Sequence, residues 1–204
     1  MSKPTEAQEP LPEHRQRLLE AMSHAVAGKG YADTTINDIA ALARVSKRTF
    51  YEHFGGKAQC LIALYEAASH QAIKVLRQSL DPRQDWHGQV EQTLRAYFET
   101  LASNPVLLRT LFIEILGLGT EGLAARRRVN RALADLIVEV VYAGQPKRVR
   151  SDPLVADMAM GIVGGINELV LQAIEADRVD RLAELTAPAS RLVRAVTKVL
   201  EELS

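Results

Sequence analysis

With 204 residues, 47% of them hydrophobic, the chain is long enough for one sizeable core, or for a small domain attached to a larger one. Its 25 Lys+Arg are balanced by 25 Asp+Glu, which excludes attraction to polyanions by bulk charge and requires any such attraction to be local. A single cysteine, Cys60, excludes an intrachain disulfide and suits a buried thiol in a reducing compartment. No apolar leader opens the sequence and no uninterrupted apolar run reaches bilayer length, so the expected setting is cytoplasmic, with no membrane partner.

Residues 1–12, polar and proline-rich, read as a disordered tail. After Pro12 the spacing of Leu18, Leu19, Met22, Ala25 and Val26 predicts a helix closed by Gly28 and Gly30. Thr34 to Asp38 supplies hydroxyl caps, with an acidic residue three positions after Thr35, and predicts a short second helix that turns Ile36, Ile39, Ala40 and Ala43 inward. Ser46 is a candidate N-cap for a third helix, in which Phe50 and Phe54 share one face, and Gly55-Gly56 ends it. Beyond Lys57 every pattern is helical, so the fold class is all-α. The expected elements are a helix to about Leu80 and a break at Asp81-Pro82, then helices from Trp86 to Ala102 and from Asn104-Pro105 to the glycines at 117 and 119. A basic helix carrying Arg126, Arg127, Arg128 and Arg131 follows to about Tyr142, then a loop from Gly144 to Arg150. An apolar helix opens at Ser151-Asp152-Pro153 and runs to about Ala176, and a last helical region covers Leu182 to Leu200, where Pro188 interrupts or restarts it.

Two short helices joined by a tight turn describe a helix-turn-helix, whose second helix can enter the major groove of DNA. With Phe50 and Phe54 inward, the helical period turns Arg48, Thr49 and Glu52 outward, sets Tyr51 and His53 on the flanks, and leaves Lys47 in the first turn. The stretch GYADTTINDIAALARVSKRTFYEHFGGKAQCL, Gly30 to Leu61, resembles the DNA-binding signature of the TetR (tetracycline repressor) family of bacterial transcription regulators. The likeness lies in the Thr before the first short helix, Ile-Ala within it, Val-Ser at the turn, Thr-x-Tyr-x-His-Phe in the recognition helix and the Lys that opens the next. The resemblance implies that Thr35 meets phosphate at a helix N-terminus and that Tyr51, His53 and Lys57 grip the DNA backbone. For base reading, Lys47, Arg48 and Thr49 are favoured, since an Arg fork matches guanine O6 and N7 and a Thr methyl can touch thymine; Ser46 and Asn37 complete the candidate interface.

Two positions depart from the family pattern, which usually has glycine at Arg44 and often at Arg48. Arg44 either adopts positive φ, at a cost of about 1 kcal/mol, or sits in a turn built differently. Gly55-Gly56-Lys57 fails as a phosphate loop, because no Ser or Thr follows Lys57 and no strand precedes it. The five histidines never form a helical i, i+4 metal pair and no nucleophile motif is present, so neither metal, cofactor nor enzymatic activity is expected.

The organisation read from the sequence is therefore a helix-turn-helix DNA-binding domain over 13–56 and a helical ligand-binding and dimerisation domain over 57–204. In the penultimate helix Leu154, Met158, Ile162, Ile166, Leu169, Val170 and Ala173 recur at helical spacing beside Gly161, Gly164 and Gly165. In the last, Leu192, Val193, Val196, Val199 and Leu200 do the same. Periodicity alone does not separate core from interface; the resemblance implies a homodimer through these two helices. Trp86, Tyr97, Phe98, Phe112 and Met158 are apolar material for a ligand pocket, with Glu114, Asn167 and Glu168 as polar groups that either fix a ligand or bond neighbouring helices. The expected function is a ligand-responsive regulator, a repressor that binds a palindromic double-stranded operator as a homodimer and is released when a small-molecule effector changes the separation of the recognition helices. The alternative is an all-α interaction or small-molecule-binding module that has lost specific DNA binding.

Overall fold

The computed structural model describes residues 11–81, 83–142 and 152–202. Every element among them is helical, as the apolar periodicities require. Helices α1 (Leu11–Asp33), α2 (Ile36–Leu42), α3 (Lys47–His53) and α4 (Lys57–Gln78) come first, followed by α5 (Trp86–Ala102) and α6 (Pro105–Arg109). A π-helical turn (Thr110–Glu114), α7 (Ile115–Gly117), α8 (Gly119–Val141), α9 (Pro153–Glu175), a 3₁₀ segment (Val179–Leu185) and α10 (Thr186–Glu202) complete the order.

The chain divides into two compact units, Met1–Tyr65 and Glu66–Ser204. The first therefore takes in the start of α4, whose Cys60 and Leu61 are fully buried and whose Leu64 is nearly so. Burial pushes the Cys60 thiol up to about 12, which keeps it protonated and unreactive. Of the expected tail, residues 1–10 lie outside the described residues, while Leu11 and Pro12 already belong to α1. The Gly30 backbone leaves helical geometry at φ 78°, ψ 168°, a conformation open to glycine, and so breaks α1 where the sequence placed its end.

In the second unit α9 packs against α8, and α10 packs against α5 and α9. Phe98, Leu136, Ile166, Val170, Leu182 and Val193 lie in its main core. Pro153 opens α9 behind an Asp152 side-chain cap, and Pro188 falls in the first turns of α10, so it restarts the last helix rather than interrupting it. Ser151, Pro82 and the expected loop from 144 to 150 lie outside the described residues. The single helix expected from Pro105 to the glycines is instead three short pieces, because the π-helical turn shifts the hydrogen-bond register at Thr110.

The apolar stripe of α9 is mainly intrachain. Ile162, Ile166, Val170 and Ala173 are buried in the unit's own core, which corrects their reading as part of an intermolecular seam. A Cβ on Gly165 would lie 2.8 Å from Leu192 Cδ2, so this glycine admits α10 of the same chain; Gly161 and Gly164 meet nothing within 4 Å. By length and composition α9 would cross a bilayer, yet its buried face is spent on this core.

The tightest approach is at Gly122 in α8, where a Cβ would fall 2.1 Å from the Ile115 carbonyl oxygen. Backbone cannot yield as a side-chain tip does. Gly122→Ala is expected to lose about 1–3 kcal/mol by overpacking, seen as a lower Tm in calorimetry; an unchanged Tm would contradict the contact.

Candidate nucleic-acid interface and ligand cavity

Each short helix of the first unit is held by a cap and by burial. At α2, Thr35 Oγ1 accepts the Asp38 N–H at 3.2 Å and the Asp38 carboxylate accepts the Thr35 N–H at 2.7 Å, the capping box that the Thr-x-x-Asp spacing predicts. At α3, Ser46 Oγ accepts the Thr49 N–H at 3.0 Å. Ile39 and Phe50 are fully buried, and the Phe50 and Phe54 ring centres lie 5.7 Å apart.

The turn between α2 and α3 settles the alternatives at Arg44, which adopts φ 55°. It is braced from α1, where Arg17 Nη2 donates to the carbonyls of Ala43 at 2.6 Å and Arg44 at 3.3 Å. That pair of hydrogen bonds carries no sequence motif, and only the packing of α1 beside the turn reveals it.

With Phe50 inward, α3 presents Lys47, Arg48 and Tyr51 to solvent, and Thr49 lies half-buried beside its cap. The Arg48 side chain is 90% exposed, and its Nε donates to Glu52 Oε1 at 3.2 Å. Asn37 is exposed on α2, and Tyr51 is 56% exposed with its ring edge-on to Phe50. Of the candidate base readers, Lys47, Arg48 and Asn37 are thus exposed, and Thr49 is only partly so.

The candidate phosphate contacts are more engaged. Lys57 Nζ donates to the carbonyls of Tyr31 at 2.9 Å and Ala32 at 3.2 Å and lies 4.3 Å from the Tyr31 ring centre, so it closes the end of α1. His53 is half-buried, with Nε2 unpartnered and its ring 6.4 Å from that of His14. The Thr35 hydroxyl, besides accepting, donates to Asp38 Oδ2.

In the second unit one apolar cavity lies between α5, α8, α9 and α10, with Leu76 of α4 at its wall. Of the sequence-predicted ligand residues it gathers Tyr97 and Asn167. Trp86, Phe98 and Phe112 pack in the surrounding core, and Met158 packs beside Tyr142 and Val155. Glu168 is exposed and borders a separate depression with Arg109 and Ile113; Glu114 lines neither. Asn167 Nδ2 donates to Asn130 Oδ1 at 3.1 Å, a bond between α9 and α8. The sequence reading missed Thr93 of α5 and the Leu133, Leu136, Ile137 and Val140 face of α8, since cavity lining and core have the same apolar signal. Among the described residues no cluster of three or more His, Cys, Asp or Glu could hold a metal ion.

Residues 18–64, the span just described as a capped and braced helix-turn-helix, match the sequence model of the tetR family of bacterial regulatory proteins. Over this segment the chain resembles the TetR family. It is 27% identical over 103 residues to the HTH-type transcriptional activator FasR of Mycolicibacterium smegmatis, covering 50% of this chain and 47% of that one. To the HTH-type transcriptional regulator SrpR of Pseudomonas putida it is 29% identical over 121 residues, covering 58% of this chain and 54% of that one. The chain thus spans about half the length of these two relatives. Its fold is similar to that of the transcriptional regulator FadR of Bacillus subtilis, solved in complex with stearoyl-CoA, with a TM-score of 0.71 at 18% identity over 87% of this chain and 96% of the other.

Two measurements test the helix-turn-helix as built. Arg44→Gly removes the cost of holding a side chain at positive φ while keeping the carbonyl that Arg17 braces, and is expected to stabilise by about 1 kcal/mol in urea unfolding; destabilisation would contradict the turn geometry. Hydrogen bonding from Lys29, at 2.6 Å, and then from Thr35 holds the Asp38 carboxyl well below the usual carboxylate range. A carboxyl depressed in the folded state contributes stability above its unfolded pKa of about 3.9 and loses it as pH falls through the folded value. The Tm gap between wild type and Asp38→Asn should therefore be widest above about pH 5 and narrow on acidification below about pH 4. A gap independent of pH would remove the ionic part of the cap.

Proposed function

We propose that this chain is a ligand-responsive transcription regulator that binds a palindromic DNA operator as a homodimer, represses from it, and is released by a small-molecule effector held in the second unit. The observation that carries this reading is the division of α3 into a buried Phe50 and an outward Arg48 within a helix capped by Ser46. A helix so fastened can offer its polar face to a major groove without unravelling, and an Arg there can take guanine O6 and N7 together. Lys47, Thr49 and Asn37 extend the reading face. Tyr51, His53, Lys57 and the N-terminal residues Thr35 and Ser46 are assigned to the phosphate backbone, where they orient the helix without choosing sequence.

A single helix-turn-helix reads few base pairs, and two related by a dyad read half-sites roughly 34–36 Å apart. The faces of α9 and α10 left over from the intrachain core suit that dyad. Leu154 and Val199 stand about half exposed, near the unobstructed Gly161 and Gly164 for α9. The side chain of Leu200 lies outside the described residues. The effector cavity is the one between α5, α8, α9 and α10, and it acts on DNA binding only insofar as the ligand prefers the state that does not bind DNA.

The test is a titration of the full chain against a fragment selected from genomic DNA and against random duplex at several salt concentrations. Wild type is expected to prefer the selected fragment. Arg48→Ala should lose about 1–3 kcal/mol of discrimination at one base pair per half-site with a smaller effect on random duplex. Equal losses on every duplex would make Arg48 a phosphate clamp, and wild-type binding without preference would replace this reading with a helical module that does not read sequence.

A further inference from the structure

The cavity in the second unit has a chemical bias that its neighbours on the same helices make legible. Among the described residues its walls are Leu, Val and Ile apart from Thr93, Tyr97 and Asn167, with no Asp, Glu, Lys, Arg or His. The cavity volume is about 60 Å³, room for several ligand atoms.

Thr93 differs from three threonines inside helical segments of this unit, although Thr186, at the start of α10, is likewise buried without a partner. A threonine inside a helix commonly satisfies its hydroxyl by donating to the carbonyl four residues back. Thr100 does so to Ala96 at 2.7 Å, Thr110 to Val106 at 3.0 Å and Thr197 to Val193 at 2.7 Å. Thr93, on the same helix as Thr100, does not: its hydroxyl oxygen is buried and has no hydrogen-bond partner. A buried hydroxyl left unpaired is costly, and a partner supplied from the cavity removes the cost. Asn167, by contrast, is already committed to Asn130.

We propose that the cavity binds an uncharged, predominantly apolar molecule, or the uncharged apolar part of a larger one, through a single hydrogen bond to the Thr93 hydroxyl, and that it rejects carboxylate or ammonium groups at that depth. An ionised group carried among these walls would lose its hydration and find no countercharge. An alcohol or carbonyl oxygen gives up little water and completes the valence of Thr93. That this molecule is the effector rests on the regulator reading above; the chemistry of the site does not.

The experiment uses the full chain without DNA and three probes of one chain length, 1-octanol, octanoate and octylamine, followed by calorimetry and by fluorescence of Trp86, the only tryptophan, which packs against the core that surrounds the cavity. At neutral pH 1-octanol is expected to bind saturably and at least about tenfold more tightly than either charged probe. Val140→Phe, which fills the cavity, should abolish that binding. Thr93→Val, which keeps the shape and removes only the hydroxyl, should weaken 1-octanol severalfold while the variant melts as a folded protein. Octanoate or octylamine binding as tightly as 1-octanol would overturn the proposal, as would octanol binding that neither variant changes. A parallel titration with the selected DNA fragment separates the two readings: 1-octanol that binds in the cavity without altering DNA affinity upholds the site's chemistry and sinks its regulatory role.

Discussion

The burial of Phe50 is the constraint on which the proposed DNA-reading face depends. A helix of seven residues does not hold itself together in water, because nucleation costs more than so few hydrogen bonds return. α3 exists because Phe50 and the Phe54 that ends it are sunk into the first unit and because Ser46 satisfies its first orphan N–H. Once that side is anchored, the helical period leaves Lys47, Arg48 and Tyr51 no other direction than outward. The local cationic face in a chain of zero net charge follows from this geometry.

The turn before α3 makes the same point through the backbone. An arginine at φ 55° is a poor choice for the turn taken alone, and Arg17 offsets part of the difference by donating to the carbonyls of the two peptide units that flank the Arg44 Cα. Lys57 ties down the end of α1 in a comparable way. A side chain that matches a family's DNA-gripping position can thus also close a helix, and the same ammonium cannot be fully committed to both at once. Glu52, outward on the same helix, accepts a hydrogen bond from Arg48 Nε. In solvent such an i, i+4 pair is weak, but it leaves the terminal nitrogens of the guanidinium free for a base edge.

The second unit shows how one apolar stripe can serve two purposes. Residues of α9 such as Ile162 and Val170 close the core, Val163 and Ile166 line the cavity as well, and Gly161 and Gly164 stay open on the other side. The break of the α6 to α7 region into a π-helical turn has no counterpart in the apolar pattern, which reads as helix whether the register is four or five residues.

The sequence by itself determined the elements whose cause is local. Helix boundaries at Trp86, Ala102 and Pro153, the capping box from Thr35 to Asp38, the inward Phe50 and the conformational tension at Arg44 all follow from caps, prolines and the 3.6-residue period, which act within a few residues. Only the tertiary structure decided what depends on partners far away in sequence: that Arg17 braces the turn, that Lys57 closes α1, that Ile162 and Val170 face their own core, and that Tyr97 and Asn167 line a cavity which Glu114 and Glu168 do not reach. The reason is that hydrophobicity records how much a position avoids water and not which surface does the covering; core, cavity and subunit seam carry the same signal until packing assigns each side chain its neighbours.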